Sequence, residues 1–174
     1  MEHGSEFLRT QVRKVLVQHG TFLESLEDHE GQAEDPRFRD LCARHLPHMR
    51  LHQRMLEEYQ SHLGDSQRPA SRVVGTAIGV VKDLADAAVA SDYNRLIGDI
   101  VMARQSEDAF RIFREAGKML GNRTLQEIGE IGERHHDAYV KEANRLAQHM
   151  FVERVHGLDG FRQSTIDMQP DATL

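Results

Sequence analysis

Eight side chains in this sequence are candidates for holding a metal ion: His19, His45, His48, His52, Glu107, Glu133, His135 and His136. Three of them lie within one short stretch, His45-Leu46-Pro47-His48-Met49-Arg50-Leu51-His52. On a helix the spacing i, i+3, i+7 turns all three imidazoles to one side. Cys42, Met49 and Leu56 fall on that side too, so it is the face that packs inward. Buried polar groups without partners are costly, and an inward row of imidazoles therefore needs protein partners or a metal. His19 stands in an apolar row upstream and Glu107 in another downstream. Glu133 and His136 share a helical face in Glu-x-x-His spacing, with His135 beside them. Imidazole and carboxylate together suit a divalent ion such as Fe, Mn or Zn. The same residues also admit a structural reading. His19 would then be a hydrogen-bonded core group, Glu107 would pair with Arg104 or Arg111, and His135-His136 would sit half in the core.

Helices must position these groups. Leu8, Val12, Val15, Phe22 and Leu26 recur at helical spacing, predicting a first helix over about 7–28 with His19 in its inward row. Residues 30–34 read as a short loop. Asp35-Pro36 is a start signal, Asp as N-cap and Pro in the first turn. The second helix then runs through Phe38, Cys42, Met49, Leu56 and Leu63 to Gly64. Pro47 predicts a kink or a break inside the histidine cluster, since proline in a helix interior costs ~3 kcal/mol. Residues 64–69 form a loop, and the Ala- and Val-rich stretch 70–90 a connecting helix. Ser91-Asp92 opens a third long helix to Gly121, with Ala103, Glu107 and Phe110 on its inward row. Asn122 caps a fourth, to about His156, whose inward row contains Gly132, His135 and Tyr139. The expected organisation is a loose start or cloning remnant at 1–6, an all-α four-helix bundle with an additional connecting helix at 7–157, and a loose tail at 158–174.

Composition narrows the function classes. A chain of 174 residues is long enough for one sizeable core. Its 28 acidic residues against 22 basic ones give a net charge of −6, which argues against nucleic acid as a partner. No apolar run is long enough to cross a bilayer, and no secretion-signal pattern opens the chain, so the cytoplasm is expected. The single cysteine, Cys42, excludes an intramolecular disulfide.

From Phe7 to Gly157 the chain resembles the ferritin-like superfamily, and most of all its short stress-associated bacterial bundles of the YciE/YciF type. The resemblance rests on the order of long helices around an Ala-rich connector, on Gln105-Ser106-Glu107, and on the turn at Leu120-Gly121. It implies a bundle whose core holds metal through a Glu on the first and third helices and a Glu-x-x-His on the second and fourth. Glu107 matches the third helix, and Glu133 with His136 the fourth. His19 stands where the first Glu is expected, and the second helix offers only His45, His48 and His52. With so few carboxylates the expectation is a metal-holding bundle without fast iron–oxygen chemistry. The pair His48 and His52 with His19 is also similar to the His-rich di-iron bundles of hemerythrin type. A metal-free helical scaffold is the third reading. The superfamily's habit and the small-residue connector predict a homodimer, so light scattering should return about twice the 19.9 kDa chain mass; a monomer at high concentration would contradict this.

Overall fold

The computed structural model describes residues 2–64 and 91–157. Those residues form four helices and no strand: α1 (Glu2–Gln32), α2 (Pro36–His62), α3 (Asp92–Leu120) and α4 (Arg123–Gly157). None of these helices is long and apolar enough to cross a membrane. The expected connecting helix at 70–90 and the tail at 158–174 lie outside the described residues.

Apolar side chains recur at alternating steps of four and three, which keeps one stripe of each helix turned toward its partners. α1 packs on α2, α3 on α4, α2 on α4 and α1 on α3. Side-chain bonds set the register. Arg37 meets Glu153 near one end of the α2/α4 pair and Tyr59 meets Asn122 at the other. Ser25 and Gln18 of α1 meet Asp99 and Gln105 of α3. Every neighbouring pair is therefore antiparallel, and α2 and α3 run in the same direction. α2 and α3 are thus not joined as a hairpin. Gly64 and Ser91 lie at opposite ends of the bundle, roughly 40 Å apart for a helix of this length.

The ends of the helices are largely those the sequence predicts. Asp35 Oδ1 accepts the Arg37 N–H at 2.9 Å, with Pro36 in the first turn. Asn122 Oδ1 accepts the Leu125 N–H at 3.0 Å, and its amide donates to the Tyr59 hydroxyl at 2.7 Å. Gly121 ends α3 in a left-handed conformation, φ +64°, which suits glycine. Ser91 precedes α3, but its side chain makes no capping bond. α1 is longer than its apolar row suggests. It takes in residues 2–6 and also 30–32, the first part of the expected loop. Pro47 does not break α2, which is continuous from Pro36 to His62. Pro47 and Ala43 are both exposed, so the carbonyl that loses its N–H partner is on the solvent side, where water can satisfy it.

The core is two apolar halves with a polar layer between. One half gathers Phe22, Leu26, Met49, Ala103, Tyr139 and Ala143. The other gathers Val12, Leu16, Leu56, Phe110, Phe113 and Ile128. In the four-three register the layer between them is His19, His52, Ser106 and His136, one residue from each helix, all at most 1% exposed. A second polar node, buried Asp99, ties three helices: it accepts from the Ser25 hydroxyl at 2.7 Å and bonds His29 Nδ1 at 2.8 Å, while the Tyr139 hydroxyl reaches it at 3.5 Å.

The α3/α4 pair approaches closely because glycines line it. A Cβ on Gly129 would overlap the backbone of Arg114, and one on Gly132 would overlap the Phe110 ring. Gly98, by contrast, has nothing within 4 Å of a built Cβ. Gly129→Ala should therefore destabilise the bundle by about 3 kcal/mol, the upper range for overpacking. Gly98→Ala should be neutral or stabilise by up to about 1 kcal/mol, through helix propensity alone. Denaturant midpoints of the two variants check the contrast, and equal effects would contradict the close approach.

Candidate metal centre

His19 of α1, His52 of α2 and His136 of α4 present one ligand-capable nitrogen each, all within 4.8 Å of one another. Their ring centroids form a nearly equilateral triangle with sides of 5.6, 5.4 and 5.2 Å. All three rings are buried, at 0, 1 and 0% exposure.

Each ring has one nitrogen engaged and one without a partner. His136 Nδ1 lies 2.8 Å from the Gly132 carbonyl. A carbonyl only accepts, so Nδ1 carries the hydrogen and Nε2 carries the lone pair. His19 Nδ1 lies 3.0 Å from Gln53 Oε1. The Gln53 amide donates in turn to Glu57 at 3.1 Å, which keeps its oxygen toward His19. His19 is therefore also the Nδ1–H tautomer, its Nε2 lone pair free. His52 Nε2 lies 2.9 Å from His135 Nδ1, and one hydrogen is shared between them. When His52 donates it, the His52 Nδ1 lone pair is free as well. His19 Nε2, His52 Nδ1 and His136 Nε2 are all buried without a hydrogen-bond partner. This is how metal-binding imidazoles are held: one nitrogen oriented by a neighbour, the other turned to the ion.

Burial keeps the rings neutral. Desolvation pushes His19 down from 6.5 to about 4, with the Gln53 bond opposing it. Desolvation and the repulsion of neighbouring imidazolium forms push His136 down to about 3, and His52 lower still. The Phe110 ring faces all three histidines, with centroids 5.8, 5.4 and 5.1 Å away, and Phe22 stands 5.8 Å from His136. α3 contributes Ser106 to this layer, its hydroxyl buried and without a partner.

The other candidate residues are held elsewhere. Glu107 is buried, but its carboxylate takes Arg111 at 2.8 Å and Arg104 at 3.3 Å, the structural pairing the sequence also admits. Glu133 is bound by Arg111 at 3.0 Å and by Arg114. His48 is exposed and stacks on His135, centroids 4.1 Å apart. His135 is only part-buried: the inward histidine of α4 is His136, and His135 supports His52 from the flank. His45 is buried against Tyr139, with Nε2 3.4 Å from Glu142 but no hydrogen bond on either nitrogen. Neither His45 nor His48 joins the triad. Ser106 escaped the sequence reading. Its signal is the inward series Asp99, Ala103, Ser106, Phe110, Phe113, Gly117, whose strict four-three steps leave Glu107 on the flank. A surface groove of about 320 Å³ between α2 and α4, around Arg37, Arg44, Glu142 and Arg145, has none of the triad in its lining.

No protein-family description, curated protein or solved structure matches this chain. Fold and site by themselves define its class: an all-α helical bundle with a buried three-histidine cluster that could hold a metal ion.

The depressed histidines set a pH dependence. An unfolded imidazole takes a proton below about 6.5, whereas the folded ones stay neutral to about 4 or lower. Stability is then complete above pH 6.5 and falls as the pH drops, by about 1.4 kcal/mol per unit for each histidine affected. Urea titrations with a chelator at pH 7 and pH 5 should show this loss, and equal stability at both would count against the buried triad.

Proposed function

We propose that this protein is a metal-binding helical bundle holding one divalent transition-metal ion on His19, His52 and His136. The observation that carries the reading is the convergence of three buried imidazole nitrogens without hydrogen-bond partners, one from each of three helices. Leaving each unsatisfied in the core costs roughly 1–3 kcal/mol, and one ion relieves all three at once. Three imidazoles suit Zn or another late divalent metal better than Mn, which favours oxygen ligands. Three protein ligands are one fewer than a closed structural zinc site uses, and the unpartnered Ser106 hydroxyl lies in the same layer.

The ferritin-like reading is retained as part of this proposal. What supports it is the topology, two antiparallel hairpins with α2 and α3 running in the same direction, and a histidine layer at mid-bundle. The ligand set differs from the superfamily's. Glu107 and Glu133 are neutralised by arginines, and among the described residues no carboxylate enters the layer. A single ion held by neutral ligands fits this set, and rapid ferrous oxidation does not. When bound, the ion supplies a cross-link between α1, α2 and α4, and with it stability.

The test compares thermal unfolding with Zn and with chelator, alongside metal content per chain. At a free concentration 100 times Kd, binding adds ~2.7 kcal/mol, or about 5–10 °C for a chain of this size. His19→Leu separates the proposal from a purely structural triad: it should abolish the metal response while leaving the chelated protein as stable or more so. Absence of any response to Zn, Mn or ferrous iron in the unsubstituted protein would refute the reading.

A further inference from the structure

The triad is closed on most sides, and an ion has to cross from water to reach it. Phe110 faces all three rings, Phe22 stands behind His136, Gln53 covers the outer nitrogen of His19, and the Gly132 backbone covers that of His136. Along the seam between α2 and α4 the surroundings are different. There His48, His135, His52 and His136 form a continuous file, with centroid steps of 4.1, 5.1 and 5.2 Å and interplanar angles of 24, 22 and 28°. Burial increases step by step along it, from exposed His48 through part-buried His135 to His52 at 1%.

We propose that a divalent cation loads into and leaves the triad along this file, passed from His48 to His135 to His52. This rests on the triad being the metal site. The physical reason is desolvation. A bare divalent ion cannot enter an apolar bundle unless each lost water is replaced by another ligand. Imidazoles spaced by about the separations within the triad itself provide that replacement, the inner step opening when the hydrogen bond between His135 Nδ1 and His52 Nε2 gives way to the ion. His45 lies beside the outer end of the file, 6.3 Å from His48 between centroids. Its ring is buried and neither nitrogen makes a hydrogen bond, so its lone pair adds a further ligand-capable group there. Glu142, the carboxylate next to His45, is tied to Arg44 at 2.9 Å. Capture at this end therefore falls to imidazole lone pairs rather than to net negative charge. The file makes the site an exchangeable one, in contrast to a structural ion sealed in during folding.

His48 is the residue to substitute, since it is exposed and touches none of the triad rings. Two variants separate its lone pair from its bulk: His48→Ala removes both, and His48→Phe keeps a ring stacked on His135 but offers no ligand. Stopped-flow mixing with Co²⁺ or Zn²⁺ reads loading, a chelator chase reads release, and equilibrium titration reads affinity. Both variants should load and release about tenfold more slowly or worse, a change of one decade in rate for a lost step ligand, with affinity unchanged. Loading that is unchanged or faster in His48→Ala would overturn the route and leave the triad standing. Weaker affinity at an unchanged loading rate would make His48 a ligand of the resting site, and also overturns it. Should the unsubstituted protein bind neither ion, the triad reading itself fails, and the route with it.

Discussion

Three imidazole rings enclosed at mid-bundle are the constraint around which this molecule is arranged. Each must keep one nitrogen satisfied by protein, because an apolar core does not tolerate unpaired polar groups. The partners are supplied from three different sources: a side-chain amide, Gln53; a backbone carbonyl, Gly132; and a further imidazole, His135. Two of these partners also decide a tautomer. The Gln53 and Gly132 bonds leave the Nε2 lone pairs of His19 and His136 facing the centre, so the geometry that satisfies the fold is also the geometry that suits an ion. The backbone serves the same arrangement. Gly132 has no side chain, and the Phe110 ring occupies the space a Cβ would need, which seats that ring against the triad.

Charge is sorted away from the layer. Arg111 bridges Glu107 and Glu133, and Arg104 and Arg114 complete the network on the outer side of the α3/α4 pair. Glu107 is nearly buried, yet its partners are guanidinium groups that extend out to solvent. Pairing of this kind is the usual condition for burying a carboxylate at all. Its effect here is that, among the described residues, the mid-bundle layer contains neutral side chains only. A second buried carboxylate, Asp99, is held by His29 and Ser25 on the far side of Phe22 and Tyr139, and acts as a tie between helices.

Holding an ion and holding the bundle together are one problem in this architecture. α1, α2 and α4 each contribute a single ring, so any species accepted by all three joins helices that are otherwise linked by side-chain packing and pairwise hydrogen bonds. Without such a species the same layer is a weak point between two apolar half-cores, and its neutral histidines make acid a denaturant. The capacity to accept an ion, the acid sensitivity and the low tolerance for added volume along Gly129 and Gly132 thus share one origin. Each follows from having placed polar rings where apolar ones would pack more simply.

Much of the fold was legible in the residues alone. Apolar side chains at steps of four and three, the Asp35-Pro36 start, the Asn122 cap and the glycines at 64 and 121 are local features. Their physical consequences do not depend on the rest of the chain. The same periodicity placed His19 inward and singled out the helix that carries His52. Which of the eight candidates meet was a different kind of question, and only the tertiary structure decided it. Glu107 and His136 lie within one residue of Ser106 and His135. A rotation of one residue about a helix axis, roughly 100°, exchanges a ligand for a surface group. Whether Glu107 turns to the layer or to Arg111 depends on an arginine four residues away and on how closely α4 approaches, which Gly129 and Gly132 set. Whether Pro47 breaks its helix depends on which side the freed carbonyl faces, and that is fixed by the packing of α2 on its neighbours. A histidine's role is decided by what stands against each of its two nitrogens. That information resides in other helices, and no spacing along its own helix contains it.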